Sequence, residues 1–272
     1  MIDIRTYADD NRAYWEKRAP SYAVAIREAE ERDGGAAWLA LFEKELAAAF
    51  PGRAISDLNV LDVGTGPGFL AVLLAKLGAR VTAVDYTEGM LEEAARNAEG
   101  LDVRFHRMDA EALGFEDATF DVVVSRNVTW NLPRPLQAYR EWTRVLRPNG
   151  LLLNFDANWY RYLYCEDAAR AHREDKANVA RAGVTDDTAG TDIPAMESIA
   201  RRAELSGRVR PAWDRTELEA MGLAVETDED AWRHLWNEDE RLNNASTPLF
   251  MVRAVKPVKP VKPEAAAADA ME

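Results

Sequence analysis

The stretch VLDVGTGPGFLAVLLAKLG, residues 60–78, decides the fold of this chain. It begins as a buried strand and runs into three glycines at every second position, Gly64, Gly66 and Gly68. The leucines that follow have helical spacing, and Gly78 is a typical helix stop. A strand that runs through a glycine-rich loop into a helix is typical of α/β proteins that hold a nucleoside-type ligand at the strand's carboxyl end.

The rest of the chain continues this alternation of strands and helices. Four more strands are predicted in ARVTAVD (79–85), LDVRFHRMD (101–109), FDVVVSRN (120–127) and LLLNFD (151–156), with helical segments among them. Such a rhythm implies parallel pairing with right-handed crossovers. We therefore predict a Rossmann-like, doubly wound α/β sheet, mostly parallel with an antiparallel last strand, to which N-terminal helices and a helical cap insertion are added.

Five segments are predicted along the chain. They are an N-terminal helical lid (1–52), a core that binds the nucleoside-type ligand (53–156), a helical cap insertion (157–208), the C-terminal part of the core sheet (209–256) and a disordered tail (257–272). Within the lid, Pro20 is predicted to split the first helical region into two helices, because proline removes an amide donor. Within the fourth segment, residues 228–242 are predicted to form one helical stretch between two strands.

Composition excludes several classes of protein. The net charge of −13 argues against unaided affinity for nucleic acid or for an anionic membrane surface. The single Cys165 excludes an internal disulfide and a multi-cysteine metal site, and no metal is expected. No secretion signal and no apolar stretch approaching the ~20 residues of a membrane span is present, so the expected location is the cytoplasm.

The glycine loop departs from the nicotinamide-type fingerprint G-x-G-x-x-G. Phe69 stands where that fingerprint has its third glycine, and Gly68 comes one residue early. Asp62 lies at the end of the strand, where its carboxylate would repel a pyrophosphate but would suit a cationic ligand. The pattern Asp-x-Gly-x-Gly-x-Gly therefore points away from a dinucleotide.

Residues 55–156 resemble the class I S-adenosylmethionine-dependent methyltransferases, in particular the small-molecule branch that includes the ubiquinone-biosynthesis type. The resemblance implies S-adenosylmethionine as the cofactor and assigns it to three acidic positions and the glycine loop. Asp85 ends the second strand, where a carboxylate accepts the ribose hydroxyls, and Asp109 follows the third strand, where the family binds the adenine amino group. Taken singly, each carboxylate also fits a helix cap or a turn.

The implied cofactor-binding set is larger than these acids. It comprises Asp62, Gly64, Thr65, Gly66 and Gly68 of the first loop; Asp85, Tyr86 and Met90; Asp109 and the Ala110 amide; the backbone of Ser125, Arg126 and Asn127; and Tyr14 and Tyr22 of the N-terminal helices. Three carboxylates at the ends of three successive strands are harder to explain as caps alone. The set therefore predicts cofactor binding.

The reaction implied by the resemblance is methyl transfer by in-line displacement, in which the protein contributes mainly proximity and orientation. No residue is identified as a catalytic base. Asp156, at the end of the fifth strand, and Trp130, after the fourth, are candidates for contact with the acceptor, against roles in capping and packing. His172 is interpreted as a solvated residue of a charged helix.

The leading hypothesis is an enzyme that methylates the nitrogen, oxygen or sulfur of a small molecule. One alternative is methylation of tRNA or protein, which the acidic balance disfavours for nucleic acid. A second alternative is a sensor or partner subunit that binds the cofactor without turnover, and the acidic set does not distinguish it from an enzyme. A nicotinamide-dependent oxidoreductase is disfavoured by Phe69 and Asp62.

Overall fold

The computed structural model describes residues 4–29 and 35–258, and its centre is a seven-stranded sheet in the order β3-β2-β1-β4-β5-β7-β6. The strands are β1 Asn59–Val63, β2 Arg80–Asp85, β3 Val103–Arg107, β4 Phe120–Arg126, β5 Leu146–Asp156, β6 Ala224–Asp228 and β7 Phe250–Val255. Neighbours among β1 to β5 pair in parallel, and β7 runs antiparallel to both β5 and β6. The predicted mostly parallel sheet with an antiparallel last strand is confirmed.

Helices cover both faces of this sheet. They are α1 Ile4–Ala29, α2 Gly35–Ala49, α3 Phe69–Lys76, α4 Glu88–Asn97, α5 Pro135–Val145, α6 Glu166–Ala182, α7 Ile193–Ala200, α8 Ala212–Ala220, α9 Trp232–Leu235 and α10 Glu238–Asn243. Successive residues of a strand point to opposite faces, so Val60 joins the core under α2 and α3 while Leu61 joins the core under α5 and α8. Burial on both faces explains why the central strands are continuously apolar.

The helix α1 is continuous through Pro20, so the prediction of two helices is wrong. Proline in a helix interior costs about 3 kcal/mol, because one backbone hydrogen bond is lost and the ring crowds the preceding turn. Burial on both sides of the exposed Pro20 offsets this cost, since Tyr7 before it and Ala23 after it are both buried. Glu16 also accepts a 2.9 Å hydrogen bond from the Gly89 amide and joins α1 to α4.

The helical stretch predicted for residues 228–242 is divided into α9 and α10. Trp236 ends α9 with an extended backbone, and Asn237 begins α10 as its N-cap. The Asn237 side chain accepts from the Glu240 amide, and the Glu240 carboxylate accepts from the Asn237 amide. This capping box stops the first helix and starts the second.

The five-segment division of the chain stays a prediction, and the structure shows only which elements fall in each part. α1 and α2 lie in the predicted lid, and α6 and α7 lie in the predicted cap. The tail prediction falls almost wholly on residues 259–272, which lie outside the described residues. Among residues 4–29 and 35–258, no helix combines the length and the apolar character that crossing a bilayer requires.

Gly64 of the glycine loop is closely packed against the Val128 side chain. Gly64 has φ +67°, and a β-carbon there would lie 2.3 Å from Val128 Cγ2. We expect Gly64→Ala to lower the free energy of unfolding by about 2–5 kcal/mol, because left-handed backbone strain and overpacking add. Urea denaturation gives the value.

Gly52→Ala is the matched control for this prediction, since Gly52 has φ +79° and open space around its β-carbon position. Its loss should be about 1–2 kcal/mol, the backbone contribution alone. The double substitution Gly64→Ala with Val128→Ala should relieve the steric part. Equal losses for Gly64→Ala and Gly52→Ala would show that the Val128 contact does not limit the loop.

Candidate functional site

A cavity of about 200 Å³ lies at the carboxyl ends of the central strands. Most of the predicted cofactor-binding residues line it: Asp62, Gly64, Thr65, Gly66, Asp85, Tyr86, Met90, Asp109, Ala110, Arg126, Asn127 and Tyr22. Residues from several separate elements are brought together here because parallel strands end at the same edge of the sheet. We call this space the first cavity.

Three predicted residues lie elsewhere. Gly68 is the N-cap of α3, with φ +91°, and a β-carbon there would lie 3.2 Å from Ala94, so it serves close packing of α3 on α4. Ser125 is fully buried, and its hydroxyl donates a 2.9 Å hydrogen bond to the Val63 carbonyl across the sheet. Tyr14 lines a second, adjoining cavity.

Asp62 connects the glycine loop to the helix that follows it. Its Oδ2 accepts hydrogen bonds from Thr65 Oγ1 at 2.6 Å and from the Ala71 amide at 3.1 Å. The side chain is buried, and this burial raises its pKa to about 7, although both hydrogen bonds and the charge of Arg126 act in the opposite direction. A carboxylate of this kind becomes more acidic when a cation occupies the cavity beside it.

Asp85 holds the other side of the same loop. Its Oδ2 accepts from the Gly66 amide at 2.9 Å, and its Oδ1 accepts from the amide and the hydroxyl of Thr87 at 2.9 and 2.8 Å. Burial raises the pKa of Asp85, and the bonds from Thr87 and Gly66 lower it in part. The carboxylate therefore joins the glycine loop to the start of α4 while it lines the first cavity.

The third acidic position has a neighbour that the sequence analysis missed. Asp109 Oδ1 accepts from the Glu111 amide at 2.8 Å, which orders the turn after β3. Glu111 is itself buried and lines the first cavity, where its carboxylate accepts from the amide and the guanidinium of Arg134. Its position in the segment HRMDAEAL carries no pattern that separates it from a solvated loop acid.

A second cavity of about 330 Å³ adjoins the first. Trp15, Tyr22, Arg126 and Asn127 line both, so these four residues form the junction between them. Nine tryptophan and tyrosine side chains line the second cavity. They are Tyr14, Trp15, Tyr22, Trp38, Trp130, Trp159, Tyr160, Tyr162 and Trp236. This wall suits a flat or apolar ligand.

A run of rings in contact forms part of that wall. Trp130 and Tyr160 lie with centroids 4.9 Å apart, Tyr160 and Tyr162 lie 5.8 Å apart, and Tyr162 stacks on His172 at 4.1 Å. His172 is part-buried in the cavity, and burial lowers its pKa, with the charge of Lys176 acting in the same direction. The interpretation of His172 as a solvated helix residue is therefore wrong, because the ring is stacked on Tyr162 and half-buried on α6.

Asp156 lines neither cavity, which is at odds with its suggested contact with the acceptor. It is completely buried and accepts from the Trp130 amide at 3.0 Å and from the Ala157 amide at 2.9 Å. The buried Arg210 pairs with Asp156 and with Asp214. Asp156 thus fixes the segment that carries Trp130, and Trp130 itself lines the second cavity.

Part of the sequence of this chain is similar to known proteins. Residues 61–154 match the family model for the methyltransferase domain. A ubiquinone biosynthesis O-methyltransferase of Methylocella silvestris is 40% identical over 102 residues, which cover 37% of this chain and 40% of that protein. A demethylmenaquinone methyltransferase of Clavibacter sepedonicus is 39% identical over 105 residues, which cover 37% of this chain and 43% of that protein.

Solved structures extend the likeness of the fold over more of the chain. A putative sarcosine dimethylglycine methyltransferase of Galdieria sulphuraria aligns with a TM-score of 0.54 at 18% identity, over 85% of this chain and 88% of that one. An S-adenosylmethionine-dependent methyltransferase of Mesorhizobium loti aligns with a TM-score of 0.53 at 18% identity, over 79% of this chain and 97% of that one.

The similarity to curated proteins covers only part of this chain. The chain spans only about two fifths of the length of the curated relatives it matches, and the family-model match ends within β5. The segment matched by the family model contains the glycine loop, Asp62, Asp85 and Asp109, whereas α1, α6 and α7 lie outside it. Residues 61–154 are thus similar to a methyltransferase domain, and the fold of the chain is similar to that of solved methyltransferases.

Proposed function

We propose that this chain is an enzyme that transfers the methyl group of S-adenosylmethionine to a small-molecule acceptor held in the second cavity. The observation that carries the proposal is the shared boundary of the two cavities, where Arg126 and Asn127 line both. A donor in the first cavity and an acceptor in the second would meet at this junction. The O-methyltransferase names of two relatives, matched over 102 and 112 residues, support a small acceptor, with nitrogen, oxygen and sulfur nucleophiles all kept in the proposal.

The residues of the first cavity fit the cofactor. Asn11 and Asn127 each have a buried side-chain oxygen without a hydrogen-bond donor, and both line this cavity. Buried oxygens without donors are unfavourable, so a ligand that brings N–H or O–H groups would complete them. Asp85 Oδ2 carries one hydrogen bond and retains an acceptor position for a ribose hydroxyl. Asp109 and the Ala110 amide would bind adenine.

The chain's own residues would act mainly by orientation and by excluding water. When bound, the cofactor supplies a sulfonium-activated methyl group. Tyr22 and Trp15, which line both cavities, would align the acceptor with that methyl group, and alignment can contribute roughly 7–11 kcal/mol in well-oriented reactions. The aromatic wall keeps water from the junction. We assign no catalytic base, because Asp156 is enclosed by protein donors.

Turnover is tested by incubating the chain with S-adenosylmethionine and a fractionated extract of small metabolites. An active fraction should yield S-adenosylhomocysteine in proportion to a methylated small molecule. Cofactor binding with no such product in any fraction would favour the non-catalytic sensor. Product formed only with tRNA or protein would favour the macromolecular alternative. The proposal includes a cytoplasmic location, consistent with the free thiol of Cys165.

The first binding prediction concerns the Asp85 carboxylate. Asp85→Ala should weaken S-adenosylhomocysteine binding by about 10- to 100-fold, because charge-assisted hydrogen bonds of about 1.5–3 kcal/mol are lost. Calorimetric titration gives the affinity, and circular dichroism checks the fold. Glu88→Ala, an exposed acid on α4 outside the cavity, is the control and should bind normally. Unchanged affinity in Asp85→Ala would rule out the ribose assignment.

The raised pKa of Asp62 predicts that the free energy of unfolding depends on pH. Its pKa of about 7 in the folded chain lies above the ordinary value of 3.8, so the fold favours the protonated form. The free energy of unfolding should therefore fall as pH rises from about 4 to 7, by at most about 1.4 kcal/mol per pH unit from this group. Asp62→Asn should lose this slope and exceed the natural chain in stability near pH 7. Identical slopes in urea denaturation across this range would contradict the prediction.

The same residue should distinguish the cationic cofactor from its neutral product. A sulfonium near Asp62 favours the ionised carboxylate, so the affinity ratio of S-adenosylmethionine to S-adenosylhomocysteine should rise about 10-fold between pH 6 and 8. The ratio should stay flat in Asp62→Asn, because the titrating group is absent. Parallel calorimetry of both ligands measures it. A flat ratio in the natural chain would place the sulfonium away from Asp62.

A further inference from the structure

Arg126 lies at the junction, and its guanidinium contacts two aromatic rings. Its guanidinium carbon lies 4.1 Å from the centroid of the Phe69 ring and 5.5 Å from that of Trp38. Within the described part of the chain, the Arg126 side chain has no hydrogen bond to a protein group and no ion pair. The ring contacts hold the guanidinium in place and leave its N–H groups for another partner.

The other cationic side chains of the second cavity are already engaged. Lys176 donates to Asp186 at 2.7 Å and to Thr188 at 2.9 Å. Arg18 donates to Ser21 on the same helix at 2.7 Å. Glu240 also lines this cavity and feels the charge of Arg126, but its carboxylate accepts from the Asn237 amide in the capping box. Lys176 is thus paired with a carboxylate and Arg18 donates to a hydroxyl, whereas no hydrogen bond or ion pair of the Arg126 side chain is found among the described residues.

The chemistry of the guanidinium restricts what completes it. Arginine presents several N–H donors in a planar fork that matches a carboxylate in a bidentate manner. Stacking on Phe69 and Trp38 supports the face of the group but satisfies none of those donors. A part-buried cation with unused donors is best completed by an anion that enters the cavity.

We propose that Arg126 anchors a carboxylate of the methyl acceptor, and that the acceptor is an aromatic carboxylic acid whose ring lies against the aromatic wall of the second cavity. This inference rests on the proposed function. The second cavity supplies nine aromatic side chains, among them Trp38, whereas Phe69, the other ring at the guanidinium, lines the first cavity, so Arg126 lies between the two spaces.

The cofactor also carries a carboxylate, in its amino-acid portion, so the experiment must separate two sources of the same chemistry. The acceptor arm uses benzoate, 2-naphthoate and indole-3-acetate, each paired with its neutral amide. Each ligand is titrated calorimetrically into the full chain saturated with S-adenosylhomocysteine. At least one acid should bind about 10- to 100-fold more tightly than its amide.

Substitutions identify the residue responsible for this preference. Arg126→Gln should remove the preference for acid over amide, and Arg126→Lys should retain part of it as a point charge without the fork. Arg18→Gln is the matched control, because Arg18 lines the same cavity, and it should keep the full preference. Thermal unfolding of each variant confirms that it folds, and the amide affinities report any general damage to the cavity.

The cofactor arm compares S-adenosylhomocysteine with 5′-methylthioadenosine, which lacks the amino-acid portion. The ratio of their affinities should be the same in the natural chain and in Arg126→Gln. A ratio that falls about 10-fold or more in the variant would assign the carboxylate to the cofactor and overturn the proposal. An equal affinity for acid and amide in all three pairs, or a preference that survives in Arg126→Gln, would overturn it as well. Failure of the natural chain to bind S-adenosylhomocysteine would instead overturn the proposed function itself.

Discussion

The structure depends on how two carboxylates hold the glycine loop at the carboxyl edge of the sheet. Asp62 accepts from Thr65 and from the first turn of α3, while Asp85, at the end of the neighbouring strand β2, accepts from the Gly66 amide of the loop. The loop backbone is thus fixed from two sides, and the absence of side chains at its glycines leaves the space above it open. Burial removes water from both carboxylates, and this desolvation raises the pKa of each.

That electrostatic arrangement would suit a positively charged ligand better than a neutral one. An acid whose ionised form is disfavoured by burial gains most when a cation arrives beside it, since the cation replaces part of the lost solvation. Arg126 provides only a partial substitute, because it favours ionised Asp62 without forming an ion pair with it. The first cavity therefore has a physical reason to discriminate between a sulfonium and an uncharged thioether.

The second cavity is held in shape by a buried polar network rather than by the sheet alone. Arg210 joins Asp156 at the end of β5 to Asp214 on α8, and Asp214 accepts a short hydrogen bond from the Tyr139 hydroxyl on α5. The Asp156 carboxylate also accepts from the Trp130 amide, so the aromatic wall is connected to the centre of the molecule. Buried charges of this kind are tolerated only when their hydrogen bonds are satisfied.

The sequence alone determined the doubly wound sheet and the positions of Asp62, Asp85 and Asp109, because strand alternation and loop chemistry are read from residues close together in the chain. It did not determine that Pro20 lies within one helix, that Glu111 lines the first cavity, or that Asp156 is enclosed. Those outcomes depend on partners more than 20 residues away, such as Arg134 for Glu111 and Arg210 for Asp156. The junction at Arg126 also depends on residues far apart in the sequence. Its guanidinium contacts Trp38 only when α2 brings that ring to the end of β4, and no local sequence pattern predicts this contact.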